Sequence, residues 1–457
     1  MSFIGIDLGT SFIKGAVLDL ETRMLRHVQR IPFPGATESE SPLFREFDPG
    51  AIISAVRILI DGLTLDAPEC EGLVMCSQMH GMVLMDKDGK ARSNFLSWRD
   101  QRVLMPHPCG SGSYYDLILR QISSKQRRQL GNELDPGRPL CFLFWLGEQG
   151  RLTRGLIPVS LPDFVLSVLC NSSPGVETTN AHAYGTFNLE ALDWHREVIA
   201  ELGLDGLFWP PLRKPGEVIG RVNIQGARVP CYTPVGDYQC ALTGALFNEE
   251  EISLNIATGA QVSRMTPRLI QGSYQTRPFF DGKFVNTFTG LPGGRSLNLI
   301  IDLLSELAAT QNIALPDPWV TIARAAGEVM DTDLEVALGF FPNSFGERGQ
   351  ISNIRGDNFT LGHLFCGAFK DMASRYYDAA VRIWPEKSWK RVVFSGGLVA
   401  KLEVLRGITQ KKFGTGSRSA PFVEDTLFGL LILATVFSGR AHSIGELSQQ
   451  LRQSYVE

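Results

Sequence analysis

The chain opens with short apolar runs separated by glycine and small polar residues. Residues 3–7 follow a strand pattern, Gly9-Thr10-Ser11 breaks it, and residues 12–19 resume it. A third apolar run at 24–33 predicts an antiparallel meander, which then gives way to α/β structure. An amphipathic helix is predicted over 49–63, with Asp48 as N-cap and Pro49 at its first position. Residues 72–76 read as a strand that stops at Ser77-Gln78-Met79-His80-Gly81. Helical spacing follows at 114–128, 141–148 and 161–169, and then a Thr/Asn/Gly-rich loop at 178–185. A strand at 232–235 runs into Gly236-Asp237-Tyr238-Gln239, and a small-residue helix is expected at 241–246.

The pattern then restarts. Residues 252–257 read as a strand, Thr258-Gly259-Ala260 as a turn and 262–265 as a second strand, so each half begins with strand, glycine turn, strand. Further on, Val392-Val393-Phe394-Ser395 breaks at Gly396-Gly397 before a helical pattern over 398–413. The apolar stretch 427–437 falls well short of the roughly 20 residues that cross a bilayer and is expected to be a core helix.

Bulk properties narrow the classes. A chain of 457 residues predicts two domains, with a cleft for a site between them. Net charge is −4, from 44 basic and 48 acidic residues interspersed along the chain, which argues against nucleic-acid and membrane partners. The first residues carry an acid within their apolar run and no basic leader, so a cytoplasmic location is expected. Eight dispersed cysteines, with no Cys-x-x-Cys pair, read as reduced thiols.

Chemistry is expected where strands break into glycine. Phosphate binding needs exposed backbone N–H groups, small hydroxyls and a carboxylate for a metal ion. Asp7-Leu8-Gly9-Thr10-Ser11 supplies all three with Lys14 nearby, although an ordinary hairpin turn accounts for the same residues. Thr258-Gly259 is a second candidate phosphate turn, and Gly396-Gly397 offers backbone that could approach a nucleobase. No Gly-x-x-x-x-Gly-Lys-Ser/Thr loop, His-Arg-Asp loop or His-Glu-x-x-His helix is present.

Taken together, Ile4-Gly5-Ile6-Asp7-Leu8-Gly9-Thr10-Ser11, Ser77-Gln78-Met79-His80-Gly81, Trp98-Arg99-Asp100-Gln101-Arg102 and Gly236-Asp237-Tyr238-Gln239 resemble the FGGY carbohydrate kinases. The resemblance runs over nearly the whole chain. It implies two ribonuclease H-like (actin-like ATPase) domains around a central cleft. Residues 1–242 would form the sugar-binding domain with the catalytic base, and 243–457 the nucleotide-binding domain. It implies ATP and Mg2+ as cofactors, with Asp237 as the base that deprotonates the acceptor hydroxyl. Asp7 and Asp237 would attend the metal, and Gly9, Thr10, Ser11, Lys14, Thr258, Gly259, Gly396 and Gly397 would bind ATP. Gln78, Met79, His80, Trp98, Asp100, Arg102, Asp237 and Gln239 would line the sugar site, although Met79 by itself reads as packing.

Gln78-Met79-His80-Gly81 is similar to the ketose kinases. The run 254–259 with Leu291-Pro292-Gly293-Gly294 leans toward sedoheptulokinases, and xylulokinase or another pentulose or polyol kinase is the competing expectation. The second phosphate turn departs from the family pattern at Ala257 and Ala260, which keeps open a nucleotide-binding sensor or scaffold without transfer activity. Glu424-Asp425-Thr426 reads as capping for the helix that follows, and the resemblance implies that this helix lies beside the adenosine loop, where Gly429 would allow close backbone approach. The partners implied are a small sugar and ATP; the sequence leaves a homodimer open.

Overall fold

The computed structural model describes residues 2–456 except 68, 111, 342–345 and 347. These form two compact units. One comprises Met1–Leu246, Thr276–Phe284 and Pro421–Glu457; the other comprises Phe247–Gln275 and Val285–Ala420. The break after Leu246 lies close to the boundary expected at 242/243, and two later segments return to the first unit.

The first unit is organised on a mixed sheet in the order Val218–Ile224, Ala227–Tyr232, Cys70–Ser77, Ser2–Leu8, Phe12–Asp19, Met24–Pro32. The last three are the expected antiparallel meander, and Cys70–Ser77 joins Ser2–Leu8 in parallel. In this register Asp7 lies opposite Lys14 on one side and Cys76 on the other. The two-residue strand Val235–Gly236 pairs with the end of Cys70–Ser77, placing Val235 opposite Cys76 and delivering Asp237 to the same sheet end. Ile4, Ile6, Ile13, Val56, Leu59, Leu73 and Met75 close the core against the helix Pro49–Thr64. That helix is capped as expected, with Asp48 Oδ1 accepting from Gly50 N at 2.9 Å.

The second unit repeats the motif. Glu251–Ile256 pairs antiparallel with Ala260–Thr266 and parallel with Arg391–Ser395, which in turn pairs parallel with Gly416–Ser419. Its core packs on the long helix Leu361–Ile383 through Phe365, Phe369, Met372 and Tyr376.

Several elements differ from the sequence expectation. The helix expected over 114–128 is two helices, Tyr114–Gln121 and Ser124–Gln129, because Ser113 and Ser123 each start a capping box with Asp116 and Gln126. The loop expected at 178–185 is a short helix, Thr178–Ala181, followed by a 3-10 turn, with the Glu177 carboxylate accepting from Thr179 N at 2.8 Å. The helix expected from 241 begins at Asp237, and the pattern over 398–413 divides at Leu402. Among the described residues no helix is long and apolar enough to cross a membrane.

The buried helix Asp425–Phe437 meets Asp237–Gly244 through glycine. A Cβ on Gly244 would fall 1.8 Å from the Asp425 carbonyl oxygen, and one on Gly429 would fall 2.1 Å from that of Cys240. The close approach that Gly429 permits is thus to the helix that carries Asp237, whereas the expectation was an approach beside the adenosine loop. Gly429→Ala should lower the urea unfolding midpoint, at a cost of about 1–3 kcal/mol, because backbone rather than a flexible side chain must move. Gly407→Ala, in Glu403–Phe413 with open space around it, should instead gain about 0.5–1 kcal/mol. A neutral Gly429→Ala would contradict the backbone contact.

Candidate active site

Strand ends concentrate the polar residues of the first unit. Asp7 is buried near the end of Ser2–Leu8, where its Oδ2 accepts from Thr426 Oγ1 at 2.8 Å. Its other oxygen, Oδ1, makes no well-formed hydrogen bond among the described residues. Burial pushes the Asp7 carboxyl up, against the opposing pull of the Thr426 hydroxyl and Lys14. Lys14 is engaged elsewhere, donating from Nζ to Glu424 at 2.6 Å.

Asp237 begins the helix Asp237–Gly244 and remains half-buried, so a small molecule can reach it. Desolvation raises its carboxyl to about 8, and the charges of Asp7 and Asp425 act in the same direction. Asp425 is pushed up to about 6, again chiefly by burial. Three carboxyl groups thus influence one another at one sheet end, which is the environment that moves a carboxylate toward a base of near-neutral pKa.

The glycine turn sits beside them. Gln78 N donates to Leu8 O at 2.9 Å and its side-chain Nε2 to Gly9 O at 3.2 Å, tying the two strand ends together. Thr10 Oγ1 accepts from Trp98 Nε1 at 3.0 Å and lies 3.4 Å from Gln78 Oε1, leaving Trp98 substantially exposed. Ser11 is exposed. Met79 is buried, with its sulfur against the backbone of Gly236, and so packs behind the strand that leads to Asp237.

Asp100 and Arg102 form an internal pair. Asp100 accepts from Arg102 Nε at 2.8 Å, from Arg102 Nη2 at 2.7 Å and from Arg45 N at 2.8 Å. Arg102 also reaches Glu46 at 2.5 Å, and its guanidinium lies over the rings of Phe44 and Trp145. These contacts brace the segment that carries Trp98.

Residues not anticipated from sequence surround His80 and Asp237. Glu133 is fully buried between Arg138 and Arg277, with Arg277 Nε 2.5 Å from its Oε1, and His80 Nε2 lies 4.0 Å from its Oε2. Arg277 also stacks over Tyr238, 4.7 Å from the ring centroid. Gln239 is buried and donates from Nε2 to Pro278 O at 3.1 Å.

In the second unit, the turn at 257–259 is braced by the start of the helix Gly294–Thr310. Gly294 N donates to Ala257 O at 2.9 Å and Arg295 N to Thr258 O at 2.8 Å. Thr258 and Gly259 are exposed. Gly396 has φ +92° and sits where a Cβ would fall 2.4 Å from Ile256 O, so only glycine fits; Gly397 is open.

A profile of the FGGY family of carbohydrate kinases, N-terminal domain, matches residues 2–244. The chain belongs to the FGGY family of carbohydrate kinases. It is an ATP-dependent sugar kinase, a phosphotransferase whose acceptor is a sugar hydroxyl. The FGGY kinase is 24% identical to mouse (Mus musculus) sedoheptulokinase over 463 residues, covering 90% of this chain and 92% of the relative. Human (Homo sapiens) sedoheptulokinase is 23% identical with the same coverage. Among solved structures, ligand-bound xylulose kinase from Lactobacillus acidophilus superposes with a TM-score of 0.82 at 17% identity, covering 98% of this chain and 91% of that one. Plasmodium falciparum glycerol kinase with ADP gives 0.81 at 15% identity, covering 99% and 92%. These likenesses establish the actin-like ATPase fold.

The raised Asp237 carboxyl has a stability consequence in this FGGY kinase. A carboxyl at about 8 when folded and near 3.8 when unfolded contributes stability that is fully present below the lower value and is lost as pH rises through the higher. The Tm of Asp237→Asn relative to the unsubstituted protein should therefore climb between pH 5 and pH 9, as read by scanning calorimetry. A constant Tm difference across that range would show that the carboxyl titrates normally.

Proposed function

We propose that this kinase phosphorylates a ketose, with sedoheptulose the first candidate, and that Asp237 is its general base. The observation that carries the reading is a half-buried carboxyl, raised to about 8, at the sheet end where the first glycine turn also lies. In-line phosphoryl transfer requires positioning, charge neutralisation and an acceptor for the hydroxyl proton. Asp237 in its ionised form takes that proton as the sugar oxygen bonds to the γ-phosphorus and the bond to the ADP oxygen breaks.

The first unit carries the acceptor chemistry in this proposal. Trp98 offers a flat face, while His80, Gln78 and Gln239 supply donors and acceptors for hydroxyls. Asp100 and Arg102 hold the Trp98 segment in place. Thr10, Ser11, Thr258 and the backbone about Gly9 and Gly259 donate to phosphate oxygens, and Gly396-Gly397 lets backbone lie against the adenosine. Lys14, whose charge is paired with Glu424, assists only by exchanging that partner for phosphate.

Mg2+ fits the residues present. Asp7 Oδ1 is a buried carboxylate oxygen that makes no well-formed hydrogen bond, with the Cys76 thiol a weak donor to the carboxyl, and Asp237 is close enough to sense the Asp7 charge. Among the described residues no three His, Cys, Asp or Glu side chains are grouped as a metal cage. Mg2+ keeps most of its waters and takes one or two carboxylates together with substrate phosphates. When bound, Mg2+ would neutralise charge on the phosphates. The protein's part is Asp7, fixed by Thr426, with Asp237 in support.

Likeness to two sedoheptulokinases over 90% of the chain favours a seven-carbon ketose. The fold likeness to xylulose kinases makes a pentulose the second reading. A coupled ADP-release assay with sedoheptulose, xylulose, ribulose and glycerol decides between them. The expected order places sedoheptulose highest in kcat/KM, and preference for a five-carbon ketose or glycerol would replace that substrate.

Asp237→Asn should lower kcat by at least about a hundredfold while binding ATP as before. In the unsubstituted enzyme, kcat/KM should fall on the acid side of pH 8, tenfold per pH unit well below it, since protonation removes the base. Normal turnover by Asp237→Asn, or a flat profile from pH 6 to 9, would remove Asp237 from this role.

A further inference from the structure

His182 lies on the 3-10 turn His182–Tyr184 and is 3% exposed, yet among the described residues its ring nitrogens make no well-formed hydrogen bond, only weak approaches to the backbone of Thr178 and Thr179. A buried imidazole so incompletely paired is costly, and groups of this kind call for an explanation in a bound molecule or an ordered water. Its neighbourhood is polar. His182 interacts electrostatically with His80, Arg138 and Arg277. His80 Nε2, Arg138 Nε and Gln239 Oε1 are also buried without partners. Unfilled donors and acceptors therefore come from four segments of the first unit, around the helix that begins with Asp237.

The charges in this cluster define what it can bind. Glu133 holds Arg138 and Arg277 on opposite sides, Arg138 Nη1 donates to Ala183 O at 3.3 Å beside His182, and Arg277 covers Tyr238, the residue after Asp237. Burial and the two guanidinium groups hold both imidazoles neutral, well below the usual histidine range. A neutral imidazole both donates and accepts one hydrogen bond, which suits a hydroxyl that does the same. Two such rings with an amide oxygen match the bonding pattern of a chain of neutral hydroxyls.

We infer that His182 contacts the acceptor sugar and determines which sugars are accepted, and that Glu133, Arg138 and Arg277 are positioning residues that orient His80 and His182 for it. The inference rests on the proposed acceptor site around Asp237 and deepens it. Hydroxyls of the sugar beyond the one that is phosphorylated satisfy the idle ring nitrogens. Chain length is then read through the match between remaining hydroxyls and these groups, because a site built to bond a hydroxyl discriminates strongly against a ligand that lacks it.

The test compares the full-length enzyme with His182→Ala and His182→Gln, using the best ketose of the four-sugar panel. His182→Ala should raise the sugar KM about tenfold or more, change the ATP KM less than about twofold, and abolish the Tm increase caused by sugar alone. His182→Gln, which restores one donor and one acceptor, should recover part of the loss. Glu133→Gln should raise the sugar KM while leaving the ATP KM in place. Unchanged sugar KM and an intact sugar-induced Tm shift in His182→Ala would overturn the inference, as expected if a structural water satisfies the ring. Should the variants fail to fold, the ring 15N resonances of His182 in the unsubstituted protein supply the readout, and resonances that do not move on sugar addition overturn it equally. Absence of turnover by the unsubstituted enzyme with every sugar would count against the proposed ketose activity, whereas the ring resonances report on His182 separately.

Discussion

Desolvation of three neighbouring carboxyl groups, with their mutual repulsion added, is the constraint on which the active end of the first unit depends. Asp7, Asp237 and Asp425 arrive there from a strand, a helix start and a second helix start, and desolvation leads the causes that raise each of them. Isolated acids so placed would simply take up protons, as a buried like-charged group does. Contacts nearby limit that outcome: the Thr426 hydroxyl on Asp7, the Thr426 N–H on Asp425, and Lys14 paired with Glu424. The balance leaves Asp237 close to the neutral range.

Such a balance needs rigid supports, and glycine supplies them. Helices Asp237–Gly244 and Asp425–Phe437 approach at backbone distance, which no side chain at Gly244 or Gly429 would permit. That closeness fixes where both acids point. The second unit uses the same device, with Gly293 against Gly259 and Gly396 against Ile256 shaping the turns proposed to meet ATP. The placement of both acids in this chain thus depends partly on residues that have no functional groups.

Much of this was legible in the chain. Period-two alternation broken by glycine locates both hairpins, while Asp7, near the end of a strand, and Asp237, between a strand and a helix, are singled out by the resemblance to the family. The helix over 114–128 was misjudged because apolar spacing hid two local serine caps, although the Ser113-x-x-Asp116 and Ser123-x-x-Gln126 pairs were there to be read. The segment at 178–185 gave less warning, since a glutamate such as Glu177 is an unusual cap. Glu133, Arg138 and Arg277 could not be found this way. Charged residues separated by as many as 144 positions look like surface residues until the fold joins them. His182 carried no pattern at all; its significance comes from what burial denies it.

The bond between Asp7 and Thr426 spans 419 positions. Synthesis on the ribosome therefore releases the opening strands long before the helix that completes their acidic corner exists. Contacts of such sequence separation form late, after a large loss of chain entropy. The first unit must wait for nearly the whole polypeptide, so a chain interrupted after residue 420 would hold Asp7 and Asp237 without the hydroxyl that fixes one of them.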